Sequence, residues 1–149
     1  MNALAMNLLT YVAGPFWLLM IALPTWRWTR RIIASPLIAV PAALIYAALI
    51  VPILGTVLPA VTQPSLDGVA HLLGTPAGAA LGWAHFIAFD LFMGRWEYLD
   101  ARRRGVHPLA MAPILILTIL LAPLGYLLYL CVRALPVWTP REAAPQPAA

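Results

Sequence analysis

Lysine is absent from this chain, and charge of either sign is scarce. Of 149 residues only 9% are charged, against about a quarter in an ordinary soluble domain. So little charge cannot clothe a water-facing globule, which excludes that class. The nine basic residues are all arginine, and they stand in short groups beside apolar runs. Despite a pI near 9.8, that grouping fits membrane topology and not a phosphate-binding surface, so no nucleic-acid partner is expected. Cys131 is the only cysteine, which rules out an intrachain disulfide and a thiolate metal cluster. In an apolar helix it is expected to pack. Phosphate loops, dinucleotide fingerprints, zinc pairs and a nucleophile with its base are also missing, and no metal is expected.

What the chain has is apolar length: 63% of it is hydrophobic and its mean hydropathy is +0.88. Four segments are long enough to span a bilayer, from about Asn2 to Pro24, Pro36 to Leu58, Ala77 to Trp96 and Leu109 to Arg133. Roughly 20 residues at 1.5 Å each cover a hydrocarbon core of about 30 Å. The expected fold is therefore all-α, a polytopic membrane protein with four transmembrane helices in a single domain over 1–138. No basic region precedes the first run and no small-x-small site follows it, so it is expected to stay as a span. The tail, 139–149, is rich in Pro and Ala and expected to be disordered. Between the second and third spans, Ser65 is placed to cap a short interfacial or re-entrant helix with Asp67 in its first turn, ending by Gly74.

Arg27, Arg30 and Arg31 follow the first span, and Arg102, Arg103 and Arg104 precede the fourth. Basic loops stay in the cytoplasm, so both termini are expected outside, with Arg133 and Arg141 as the minority on that side. Trp26, Trp28, Trp96 and Tyr98 suit an interfacial belt at the inner ends.

The third span carries ionisable groups, which a bilayer tolerates only with partners; an Asp near its centre costs about 2.5–3.5 kcal/mol on insertion scales. Asp90 either pins one helix to another or is a functional carboxyl. Glu97, on the same side of the helix, is expected near the inner interface within reach of water. His85 is five residues from Asp90, which turns their side chains about 140° apart, so the two cannot bond directly on a straight helix. His85 either bonds a neighbouring helix or transfers protons. Asp100 and Arg104 are spaced for a local ion pair. Arg95, just inside Trp96, is a candidate for holding an anionic or carbonyl group. Pro123 is expected to kink the fourth span by its clash with the carbonyl of Ile119, and Gly125 to admit a close neighbour. A largely apolar pocket is expected between the third and fourth spans, walled by Trp83, Phe86 and Phe89 with His85 or Asp90 as its polar points.

FWLLMIALPTWRWTRRIIASP, WAHFIAFDLFMGRWEYLDARRRGV and APLGYLLYL together resemble the abscisic acid-deficient-four-like family of small membrane proteins, over about Tyr11 to Leu130. The Trp-Arg-Trp end of the first span and the pattern His-(four residues)-Asp-Leu-Phe carry the likeness. Plant members of that family are required to convert violaxanthin into neoxanthin in plastids, an isomerisation that opens an epoxide and forms an allene. The resemblance thus implies a carotenoid or isoprenoid ligand in the bilayer and no obligatory cofactor. His85, Asp90, Arg95, Asp100, Pro123 and Gly125 match family positions, and no catalytic assignment comes with them. The Arg-rich, Lys-free makeup and the lack of a transit peptide point to a bacterial inner membrane, so the plant substrate is not carried over.

Two readings stand. In one the chain is a cofactor-independent isomerase or binder of such a lipid. Epoxide opening needs a proton donor at the oxygen and a base at the neighbouring carbon, for which Asp90 and His85 are the candidates, with Trp83, Phe86, Phe89 and Arg95 as ligand contacts. In the other it is a non-catalytic scaffold, paired with a copy of itself or with a lipid-metabolising membrane enzyme.

Overall fold

The computed structural model of the chain describes residues 2–138, and the tail 139–149 lies outside them. The first apolar run forms α1 (Asn2–Ala22) and is followed by α2 (Arg27–Ala34). The arginine pattern alone reads this second stretch as a basic connection. It is helical because Thr29 and Ile33 are buried on one side while Arg27, Trp28, Arg30 and Arg31 stay exposed. The Thr29 hydroxyl donates to the carbonyl of Leu23 at 2.7 Å, tying α2 to the end of α1.

The second apolar run is a chain of short pieces. A 3₁₀ turn (Pro36–Ala39) leads into α3 (Val40–Ile50), a second one (Val51–Ile53) into α4 (Leu54–Thr62). Proline at the start of three of these pieces supplies no amide hydrogen, which breaks the ladder into segments. As expected, Ser65 caps the short helix α5 (Leu66–Gly74), accepting from the amide of Gly68 at 3.1 Å. Thr75 then caps α6 (Pro76–Arg104) through the amide of Gly78 at 3.0 Å. Gly105, at φ +73°, closes α6 in the left-handed conformation. There the amide of Val106 reaches back to the carbonyl of Ala101 at 3.0 Å, and Val106 is buried.

The last helix is α7 (Pro108–Arg133). Leu4–Ala22, Pro36–Thr62, Pro76–Arg104 and Pro108–Arg133 are each long and apolar enough to cross a membrane. All regular structure among the described residues is helical.

α7 is not straight. Leu121 leaves the helical path at φ −150°, ψ 69°, and the chain turns back on itself. A Cβ built on Gly125 would lie 2.6 Å from both the Cα and the amide nitrogen of Thr118, whereas residues seven apart on one helix stand about 10 Å apart. The helix is thus a hairpin of two limbs, Pro108–Leu120 and Ala122–Arg133. Each limb is roughly 20 Å long at 1.5 Å per residue, short of a full crossing. The break expected near Pro123 is present, at Leu121, and it is sharper than a kink. Pro123 stands in the first turn of the second limb, where its missing amide donor costs nothing, and Gly125 lets the returning limb lie against Thr118.

Two units make up the chain, the first from the N-terminal stretch to Trp17 with Ser35–Phe92, the second from Leu18–Ala34 with Met93 onward. In the first unit Leu9, Ala42 and Ala84 are fully buried, with Ile45, Tyr46, Leu49, Ile87 and Ala88 packed around them. Alanine at two of the three central positions lets α1, α3 and α6 approach closely. In the second unit Ile33, Tyr98, Val106, Ile114, Leu115 and Tyr129 are buried. Cys131, expected to pack, is exposed, as a small apolar side chain on a helix surface can be.

Candidate functional site

The first unit holds Trp83, His85, Phe86, Phe89 and Asp90, and the second holds Arg95. His85 lies on α6 with its ring stacked on Phe89 (centroids 4.7 Å apart, planes 23° apart) and tilted against Tyr46 of α3 at 5.6 Å. Phe86 meets the same imidazole edge-on at 6.4 Å. Spacing of i, i+4 brings His85 and Phe89 together on one face. Tyr46, from a different helix, carried no sequence signal.

Phe89 also lines an apolar hollow of about 270 Å³ with Ala39, Ala43, Ala88 and Phe92. The helix opposite Phe89 in this hollow is the second span, not the fourth. The two alanines leave the space that the phenylalanines bound. Trp83 and Phe86 are exposed on α6 beyond it. Asp90 is half-buried, and among the described residues it has no hydrogen-bond partner. His85 and Asp90 do not meet, as their spacing requires.

In the second unit the polar side chains are joined. Arg95 does hold carbonyl groups, and they are the chain's own: its guanidinium donates to the carbonyls of Ile33 at 2.9 Å and Ala34 at 2.6 Å. These are orphan acceptors at the C-terminal end of α2, where a cation is favoured. The Tyr98 hydroxyl donates to the carbonyl of Pro24 at 2.8 Å. Arg95 thus ties the end of α2 to α6, and Tyr98 ties the connection before α2 to the same helix.

Asp100 accepts from three groups at one oxygen, Oδ2. Arg104 Nε lies at 3.0 Å, Arg133 Nε at 2.7 Å and the Tyr129 hydroxyl at 2.7 Å. The Arg104 pair was legible from its spacing. Arg133 and Tyr129 come from the end of α7 and reach Asp100 only because the hairpin returns. Trp96 sits beside them, 5.6 Å from the Tyr129 ring and 5.8 Å from that of Tyr126, with the Arg133 guanidinium 5.9 Å above its face.

Glu97 corrects another expectation. It is fully buried, not water-reachable, and its Oε2 lies 2.8 Å from Oγ1 of Thr118. The first limb of α7 covers it. Among the described residues no group of three His, Cys, Asp or Glu side chains converges as a metal site would require.

Asp100→Leu is expected to loosen the base of the hairpin, since it strips three donors of their shared acceptor and leaves two guanidinium groups facing each other. In detergent this should lower the unfolding midpoint by several degrees and change the fluorescence of Trp96, with Asp100→Asn intermediate. An unchanged midpoint for both variants would mean that the cluster is a solvated surface contact.

Long apolar helices, an aromatic-walled hollow and a polar hairpin base define an all-helical protein built for a bilayer. The sequence profile of the ABA DEFICIENT 4-like family matches residues 4–129, so the chain belongs to that family. No curated protein and no solved structure matches the chain.

Proposed function

We propose that this chain binds a carotenoid-like or other isoprenoid lipid within the bilayer, along the hollow between α3 and α6, and isomerises it without a cofactor. The observation that carries this reading is an apolar hollow one of whose lining rings, Phe89, is stacked on His85. Alanines on one side and flat aromatic rings on the other suit a flat, conjugated chain. About 270 Å³ takes one segment of such a molecule and leaves the rest in lipid. In the catalytic form of the reading, His85 takes a proton from carbon while Asp90 gives one to the opening oxygen. The family assignment supports the ligand class, and Asp90, with no partner among the described residues, suits an exchangeable group.

The same reading places the protein in a bacterial inner membrane with α5 at the outer interface. It puts the N terminus outside and, because α7 returns to the arginine-bearing end of α6, the C-terminal end inside. No nucleic acid takes part. A second copy or a partner membrane enzyme remains the rival, scaffolding role.

The test is extraction of the protein in mild detergent and mass spectrometry of what stays bound. An isoprenoid should co-purify with the native protein and be lost from Phe89→Ala and His85→Ala. Asp90→Asn should fold and keep the lipid but abolish any conversion, since it keeps the size of the side chain and removes its acid. If no lipid co-purifies and Asp90→Asn is without effect in cells, the scaffold reading takes its place.

A further inference from the structure

Glu97 is used by nothing in that proposal, and its surroundings are unusual. The carboxyl is fully buried, one oxygen faces Thr118, and the other, Oε1, is buried with no hydrogen-bond partner among the described residues. Asp100, one turn along the same helix, has three donors on a single oxygen. Cationic groups are near in sequence but engaged or turned elsewhere: Arg95 is on the carbonyls of Ile33 and Ala34, Arg104 and Arg133 are on Asp100, and Arg102 Nε is itself buried and unpartnered.

The hydrogens can be counted. Thr118 Oγ1 lies 2.8 Å from Glu97 Oε2 and 3.0 Å from the carbonyl oxygen of Ile114. A hydroxyl has one hydrogen, and a carbonyl oxygen has none. The Thr118 hydrogen can therefore fill either contact fully but not both: the one with Glu97 when the carboxyl is ionised, or the one with Ile114 when the carboxyl brings a hydrogen of its own. Both contacts are filled at once only when the carboxyl supplies the second hydrogen. With that hydrogen on Oε2, the bare Oε1 is the carbonyl oxygen of a neutral acid, for which a missing partner costs far less than for half of a carboxylate.

We propose that Glu97 is a proton-binding site inside the membrane domain, its carboxyl carrying a proton that it donates through Oε2 to Thr118. The ligand is the proton, and the hydrogen bond it makes fastens α6 to the first limb of the hairpin. Removing the proton would turn the Thr118 hydrogen away from Ile114 and leave a buried carboxylate whose Oε1 has no donor among the described residues, so loading and unloading this site would tighten and loosen the hairpin. This proposal is independent of any isoprenoid ligand.

Infrared spectra of the full chain in lipid vesicles test it, read as wild type minus Glu97→Gln. A neutral-carboxyl C=O stretch should be present in the wild type and absent from the variant, and in Thr118→Val it should move to higher frequency as the acid loses its acceptor. Loss of an ionised-carboxylate band instead would overturn the proposal. So would failure of Glu97→Gln to fold, because the amide can offer Thr118 the same hydrogen as the neutral acid. A band that Thr118→Val leaves unmoved would overturn the donation to Thr118.

Discussion

A reporter that works only in the cytoplasm is expected to be active when joined to Ala149, as it is when joined after Arg104, and inactive when joined after Gln63. The outcome is all-or-none, and it separates two topologies. Length and hydropathy alone make Leu109–Arg133 a crossing, which would put Ala149 opposite Arg104. The folded chain binds Arg133 and Arg104 to the same carboxylate oxygen of Asp100, at 2.7 and 3.0 Å. A straight helix from Pro108 would carry Arg133 about 37 Å away, beyond any side chain's reach of Asp100. The arginines grouped at that end of α6 are the reason it is expected on the cytoplasmic side. Opposite activities at Ala149 and Arg104 would show that α7 crosses in the membrane.

Gly125→Val should be among the most damaging small substitutions in the described residues. The first carbon added at Gly125 meets the main chain of Thr118 at 2.6 Å, and main chain cannot swing aside as a side-chain tip can. Overpacking costs about 1–3 kcal/mol where neighbours can shift, and here the limbs themselves must part. That would also break the Thr118–Glu97 contact and pull Tyr129 from Asp100. The expected result is loss of monodisperse protein on extraction in detergent. Gly55→Ala is the control, because its added carbon has nothing within 4 Å, and Gly82→Ala should be mild, since it meets only the movable end of Leu73 at 3.2 Å. Normal yield and melting of Gly125→Val would mean that the limbs do not touch.

Much of the helical plan was open to reading because it depends on neighbours in the chain. Ser65 caps α5 across three residues, and Asp100 meets Arg104 across four. His85 and Asp90 stay apart because the helix turns by a set angle per residue. The site was less legible. Trp83, His85, Phe86 and Phe89 stood out as aromatic or ionisable residues on one span, but the wall that makes a hollow of Phe89 is a pair of alanines, which look like any others. Glu97 was read as an interfacial carboxylate because its nearest sequence neighbours are Trp96, Tyr98 and the arginines. Its actual partner, Thr118, lies across a turn and on another helix.

By itself, then, the sequence determined what is additive or local: scarce charge and long apolar runs that demand a bilayer, arginine groups that mark one face, caps that end helices, and a family. Only the tertiary structure decided whether the last apolar run crosses or returns, because each outcome satisfies the same hydropathy. The choice lies in a few contacts between distant residues, Gly125 with Thr118, Thr118 with Glu97, and Arg133 with Asp100. Such pairings depend on the fit of two backbones and the matching of buried donors to acceptors, and neither quantity exists until the chain has folded.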